Sequence, residues 1–180
     1  MKDSRLYPVY ERGPASPGNR RSRLKLADIL YQKEKEFRCT HCAGLVLADP
    51  ALSGVVNRNH CPYCLWSRHL DQFEAGDRLA ACKAPMRPVG LSQKRVRKKY
   101  ASGAGGELML VHRCEACGKT ALNRIAADDD PEALIAVFEA SLQQDFALQV
   151  ELNREDIHML GRADAGRVRM QLFGVRAVLE

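Results

Sequence analysis

Two pairs of cysteines constrain this chain more than any other feature. Cys39-Thr40-His41-Cys42 and Cys61-Pro62-Tyr63-Cys64 are C-x2-C turns separated by eighteen residues, the spacing of a four-thiolate zinc site. A two-residue gap lets both sulfurs of one tight turn face a single ion, and two such turns complete a tetrahedron. The segment between them, Ala43 to His60, holds Leu45-Val46-Leu47, Asp49-Pro50 and Val55-Val56, a pattern that fits a short hairpin.

Three more cysteines follow. Cys114 and Cys117 form a third C-x2-C turn, with Gly118 where such a turn needs positive φ, and Cys82 stands alone upstream. Three thiolates leave a tetrahedral site one ligand short, and a histidine completes it. His69 is the preferred fourth ligand because it lies on a separate segment. His112, two residues before Cys114, is the alternative. The cofactor expected is therefore zinc, two ions, each held by four protein ligands. Closed sites of that kind staple a fold and leave no position for water or substrate, which disfavours zinc catalysis. Cys61-Pro62-Tyr63-Cys64 also matches the redox pair of glutaredoxins, but no strand-helix-strand pattern surrounds it, and the neighbouring pair has metal-ligand spacing.

Charge falls in blocks. Residues 1–38 carry ten Lys/Arg against five Asp/Glu, residues 39–125 thirteen against six, and residues 126–180 five against eleven, within a net charge of +6. A basic body followed by an acidic tail points to a polyanion partner and a tail with another job. Residues 1–22, rich in Pro and Gly and ending near Arg20, Arg21 and Arg23, read as a flexible basic arm. Ser22 can cap a helix from about Arg23 to Glu36. Pro85 to Gly106 reads as a soft stretch, with a mobile basic loop at about 90–106 that carries Lys94, Arg95, Arg97, Lys98 and Lys99 ahead of a Gly-rich run. Asp130-Pro131 is a helix start, followed by a stripe of Leu134, Ile135, Phe138, Leu142 and Phe146. Asn153 is read as the cap of a short helix to about Leu160, stopped at Gly161. Val168, Met170 and Leu172 alternate like a strand, with helix as the other reading.

These signals predict an α+β fold: a small zinc-ribbon-like domain of short β-hairpins and two zinc sites, flanked by N- and C-terminal helices. The expected division is an arm at 1–22, a zinc-stapled domain at 23–130 and an acidic helical extension at 131–180. No apolar run approaches the roughly 20 residues of a membrane helix, and no signal peptide is legible. With seven cysteines read as metal ligands, a reducing cytoplasmic location is expected.

Arg58-Asn59-His60-Cys61-Pro62 spells the signature of the RNHCP-domain family, and the chain resembles that family from about residue 36 to 130. The likeness runs on through Cys64, Leu65, Ser67, His69-Leu70-Asp71, Gly76-Asp77-Arg78, Cys82, Met86 and Pro88. It continues at His112-Arg113-Cys114, Cys117-Gly118, Asn123-Arg124-Ile125-Ala126 and Asp128-Asp129. The resemblance implies a small cysteine-rich bacterial domain that binds zinc, and it implies no activity. Its polar residues, among them Arg58, Asp71, Asp77, Arg78 and Asn123, suit a buried network around a metal site. The other reading makes Arg58, Arg68, Arg78, Arg87 and Arg124 phosphate contacts on one face.

The function expected is a non-catalytic zinc protein that binds RNA, most plausibly on the ribosome, where flexible basic segments suit dense phosphates. The nucleic-acid contacts expected are Arg20, Arg21, Arg23, Arg58, Lys94, Arg95, Arg97, Lys98 and Lys99. Two alternatives come from other classes. One is a metal-dependent HNH-like nuclease using His60, with Asn59, His69 and Asp71 nearby. The other is an adaptor whose contact surface is the acidic helix at 131–147.

Overall fold

The computed structural model describes residues 36–94 and 106–174. Its first element is a small hairpin around the first cysteine pair. Strand β1 (Glu36–Arg38) runs antiparallel to β2 (Leu45–Leu47), with Phe37 opposite Val46. Glu36, expected at the end of a helix, lies in this strand. The rest of that helix and the arm at 1–22 fall outside the described residues. The segment after β2 is not the second arm of a hairpin. Asp49 accepts the Ala51 N–H at 3.0 Å and caps a one-turn helix, α1 (Pro50–Ser53), which Gly54 ends at φ +69°. An Asp-Pro pair is a helix start by the same logic that applies to Asp130-Pro131.

The centre of the molecule is a four-stranded antiparallel sheet in the order β3-β4-β5-β6. Its strands are β3 (Ser67–Arg68), β4 (Pro85–Lys94), β5 (Glu107–Cys114) and β6 (Thr120–Arg124). The soft stretch expected from Pro85 is therefore a long strand as far as Lys94, and the basic loop begins later than residue 90. Its prolines misled: Pro85 is the first residue of β4 and Pro88 adjoins a register shift between Pro88 and Gly90, the two places where a strand tolerates proline. The shift has a packing consequence. Leu91 joins Leu108 and Leu110 in one apolar cluster, while Val89, two residues earlier, joins Val111 in another. A regular strand would put both on one face. The irregularity turns β4 over and lets the sheet be buried on both sides.

Three helices cover the sheet. Asp130 caps α2 (Pro131–Ser141) by accepting the Glu132 N–H at 2.9 Å, with Pro131 in its first turn. Leu134, Ile135 and Phe138 pack against Leu91 and Leu110, so the apolar stripe is core. The helix stops at Ser141, and Asp145 caps a separate helix, α3 (Phe146–Arg154). Phe146, expected to extend the stripe, is 75% exposed. Asn153 lies in the last turn of α3 and caps nothing downstream. Leu152 of α3 packs with Val89 and Val111 on the other face of the sheet. A 3₁₀ turn (Arg162–Asp164) leads into α4 (Ala165–Phe173). Val168 and Leu172, four apart, both reach the core while Met170 is half-exposed, so helical spacing outweighs the strand-like alternation. The segment from 131 is thus a structural layer of the same compact unit, which begins at Lys35. No helix is long and apolar enough to cross a membrane among the described residues.

Candidate metal centres

The three C-x2-C turns share one backbone design. In each, the first cysteine's N–H bonds the carbonyl five residues on: Cys39 to Gly44, Cys61 to Trp66 and Cys114 to Lys119, all at 2.9 Å. Its carbonyl accepts the N–H four residues on, from Ala43, Leu65 and Gly118 at 2.9 to 3.0 Å. That fourth residue takes positive φ each time, at 59° for Ala43, 60° for Leu65 and 74° for Gly118. Only the third turn spends a glycine there. The left-handed region costs other residues about 1–2 kcal/mol, which the two flanking bonds and, for Leu65, complete burial in the core offset.

The turns bring the sulfurs together in two groups. Cys39, Cys42, Cys61 and Cys64 form one, and His69, Cys82, Cys114 and Cys117 the other, with all ligand atoms of each group within 4.8 Å of one another. Cys39 Sγ and Cys64 Sγ are 3.6 Å apart, as are Cys42 and Cys61, and Cys82 and Cys114. That is far too long for a disulfide at about 2.05 Å. It is close to the edge of a tetrahedron whose centre lies about 2.3 Å from each sulfur. His69 Nδ1 completes the second group, 3.3 Å from Cys117 Sγ. Both groups fit a four-coordinate ion, and both can hold a metal.

The environment tunes the thiols unevenly. Backbone N–H donation at Gly44 lowers the Cys42 thiol pKa, whereas burial raises those of Cys61 and Cys64. At Cys114 burial also pushes upward, but the N–H groups of Cys117 and Ala116 outweigh it and the net shift is down. Amides aimed at sulfur, such as His41 N–H at 3.4 Å from Cys39 Sγ, are what a bound thiolate requires.

His112, the alternative ligand, is used elsewhere. Its Nε2 donates to the Leu65 carbonyl at 2.7 Å and its Nδ1 accepts from Asn123 Nδ2 at 2.8 Å. Complete burial, then the neighbouring His60, lowers its pKa to about 3, so the ring stays neutral. The structure brings His69 to the three thiols and turns His112 toward the core.

Arg58 is not available to a phosphate. Its side chain is fully buried. NH1 meets both Asp128 oxygens at 2.6 Å, NH2 meets Asp129 Oδ1 at 2.8 Å, and Nε donates to the His60 carbonyl at 3.1 Å. Asp129 also accepts from Ala126 N–H and holds His60 Nε2 at 2.8 Å. The signature residues thus clamp the second turn to the Ala126–Asp130 segment, which Asp130 N–H reinforces at the Pro62 carbonyl. His60, offered as a nuclease base, is sealed inside this clamp with 1% exposure and reaches no substrate. Of the other four arginines in the phosphate reading three are engaged, while Arg68 Nε has no partner among the described residues. Arg87 pairs with Glu115, Arg124 with Glu107, and Arg78 with the Asn59 side chain. Lys94 is exposed at the end of β4. Arg20, Arg21, Arg23, Arg95, Arg97, Lys98 and Lys99 lie outside the described residues. Thr120, which lines a pocket beside the second centre, carries no sequence signal that marks it out.

No curated protein and no solved structure matches this chain. A model of the RNHCP domain matches residues 34–135, a span that includes every ligand of both centres and the whole Arg58 clamp. The chain belongs to the RNHCP-domain family.

Proposed function

We propose that both centres hold zinc as structural staples and that the protein binds RNA, with the ribosome as the favoured particle. Thiolate with imidazole is a donor set suited to zinc. Each centre has four protein ligands and no open position, which supports a structural role.

The observation that carries the RNA reading is the register of the central hairpin. Lys94 of β4 stands opposite Glu107 of β5, and in the sequence Arg95, Arg97, Lys98 and Lys99 follow directly on Lys94. Several acidic residues of the C-terminal region already have basic partners among the described residues. Asp128 and Asp129 are committed to Arg58, and Glu139 and Glu151 pair with Arg169 and Arg113. His41 and Trp66, stacked at 4.2 Å beside the first centre, add aromatic surface of the kind that receives unpaired bases.

The test is retention of the pure protein on structured RNA across a salt series, with lysate sedimentation as a second readout. Affinity should fall steeply with salt, by a slope of about 0.7 to 0.9 per phosphate contacted. Replacing Arg95, Arg97, Lys98 and Lys99 with Gln should flatten that slope while both metals stay bound. Binding that ignores salt, or no retention at all, overturns the reading.

A further inference from the structure

A pocket of about 210 Å³ opens beside the second centre. Both outer strands of the sheet contribute to it, through Arg68 of β3 and Thr120 of β6, and Met86 of β4 and His69 also line it. Arg68 Nε, His69 Nε2 and Thr120 Oγ1 are each buried and bonded to nothing among the described residues. The only other side-chain atom in that condition is Gln144 Oε1. Unpaired buried polar atoms are few in folded proteins, and here three of the four belong to side chains lining one pocket.

Their chemistry is of one kind. With His69 Nδ1 turned to the metal position, the ring proton resides on Nε2, and a ligating histidine ordinarily gives that proton to an acceptor. Arg68 Nε–H only donates, and the Thr120 hydroxyl can turn to donate. Of the two carboxylates in the pocket, Asp71 is already engaged: its Oδ2 accepts from Asn59 Nδ2 at 2.8 Å and its Oδ1 from Arg78 N–H at 3.2 Å. Arg68 and Lys119 bring positive charge, which Asp71 and Glu74 balance, so the unspent capacity lies in hydrogen-bond donors. The complementary group accepts only.

We propose that this pocket binds a small oxyanion, a phosphate or the carboxylate of a small molecule, on Arg68 Nε, His69 Nε2 and Thr120 Oγ1. The three atoms are shielded from water in the free protein. Arg68, whose residue is only partly buried, turns to admit the ligand. Because the donor state of His69 follows from its bond to the metal, the anion site depends on the second centre. It does not depend on RNA binding.

The experiment uses the metal-loaded full chain, labelled with nitrogen-15 and titrated at constant ionic strength with inorganic phosphate and, separately, with acetate. Saturable shifts at the Arg68 Nε–H and His69 Nε2–H resonances are expected. Saturation by acetate alone would identify the group as a carboxylate, and saturation by phosphate as a phosphate; either supports the proposal. Thr120→Val and Arg68→Gln should each weaken binding by about tenfold with metal content unchanged, and Thr120→Ser should restore it. No saturable response to either anion overturns the proposal. So does a response that both variants leave intact, which marks an adventitious ion only.

Discussion

Arg58 holds a charge where almost nothing could replace it. Its guanidinium meets Asp129 with both side chains fully buried, and His60 leans on the same carboxylate. Removing one partner of a buried pair leaves the other unpaired, at a cost of about 3–5 kcal/mol. Arg58→Met should lower stability by about that amount in urea unfolding, and a double variant with Asp129→Leu should cost less than the two singles combined. The two histidines separate as cleanly. His69→Ala should take metal content from two ions per chain to one, because its Nδ1 belongs to the second group. His112→Ala should leave both ions in place and destabilise the core, where its ring ties Leu65 to Asn123. The six cysteines of the C-x2-C turns were legible as candidates from spacing, because such a turn is a local object, whereas Cys82 joins its group only through the fold. The choice between His69 and His112 was not legible: it depends on strand pairing far along the chain, and both positions satisfy the same one-dimensional rule.

At the scale of elements, a turn can be pinned by one side chain. Asp77 accepts the N–H groups of Gln72, Phe73, Glu74 and Leu79 at 2.8 to 3.0 Å. These donors, Leu79 first, hold its carboxyl well below the usual carboxylate range. A lowered folded pKa means that its contribution is complete above the ordinary carboxylate value and is lost only as pH falls through the lowered one. The 72–79 loop should therefore keep its amide protection through mild acid, and Asp77→Ala should abolish that protection at neutral pH, as amide exchange would read. Of the two Asp-Pro pairs, Asp130-Pro131 was legible as a helix start, whereas Asp49-Pro50, set between two short apolar runs, fitted a hairpin equally well. The long strand β4 was hidden because its prolines occupy a strand start and a register shift, two exceptions that composition cannot distinguish from a loop. The two helices α2 and α3 merged in the sequence reading because Phe146 falls in phase with the stripe, and only Asp145 marks the break.

Across the whole molecule, the acidic C-terminal region is held by its apolar face. Leu134, Ile135, Phe138 and Val168 complete the cluster with Leu91 and Leu110. A chain ending at residue 127 should aggregate or lose its cooperative unfolding transition, since it exposes both faces of the sheet and removes both acidic partners of Arg58. An adaptor whose contact is the stripe of α2 would leave that shortened chain soluble and folded. The net charge of the sequence said nothing of this arrangement, because a surface acid and an acid paired to a buried arginine are written alike.

The two metal groups differ in how much chain they enclose. The first draws its ligands from residues 39–64, the second from 69–117, around both long strands. During synthesis, which proceeds from the N-terminus, the first is complete before the last thiol of the second has been made. Closing it fixes a short loop and involves only the local β1–β2 hairpin, whereas the second waits on the pairing of β4 with β5, the slower kind of event. A nascent chain in a metal-poor cell would thus commit its first ion early, and the second centre would report whether supply had lasted until the strands were home.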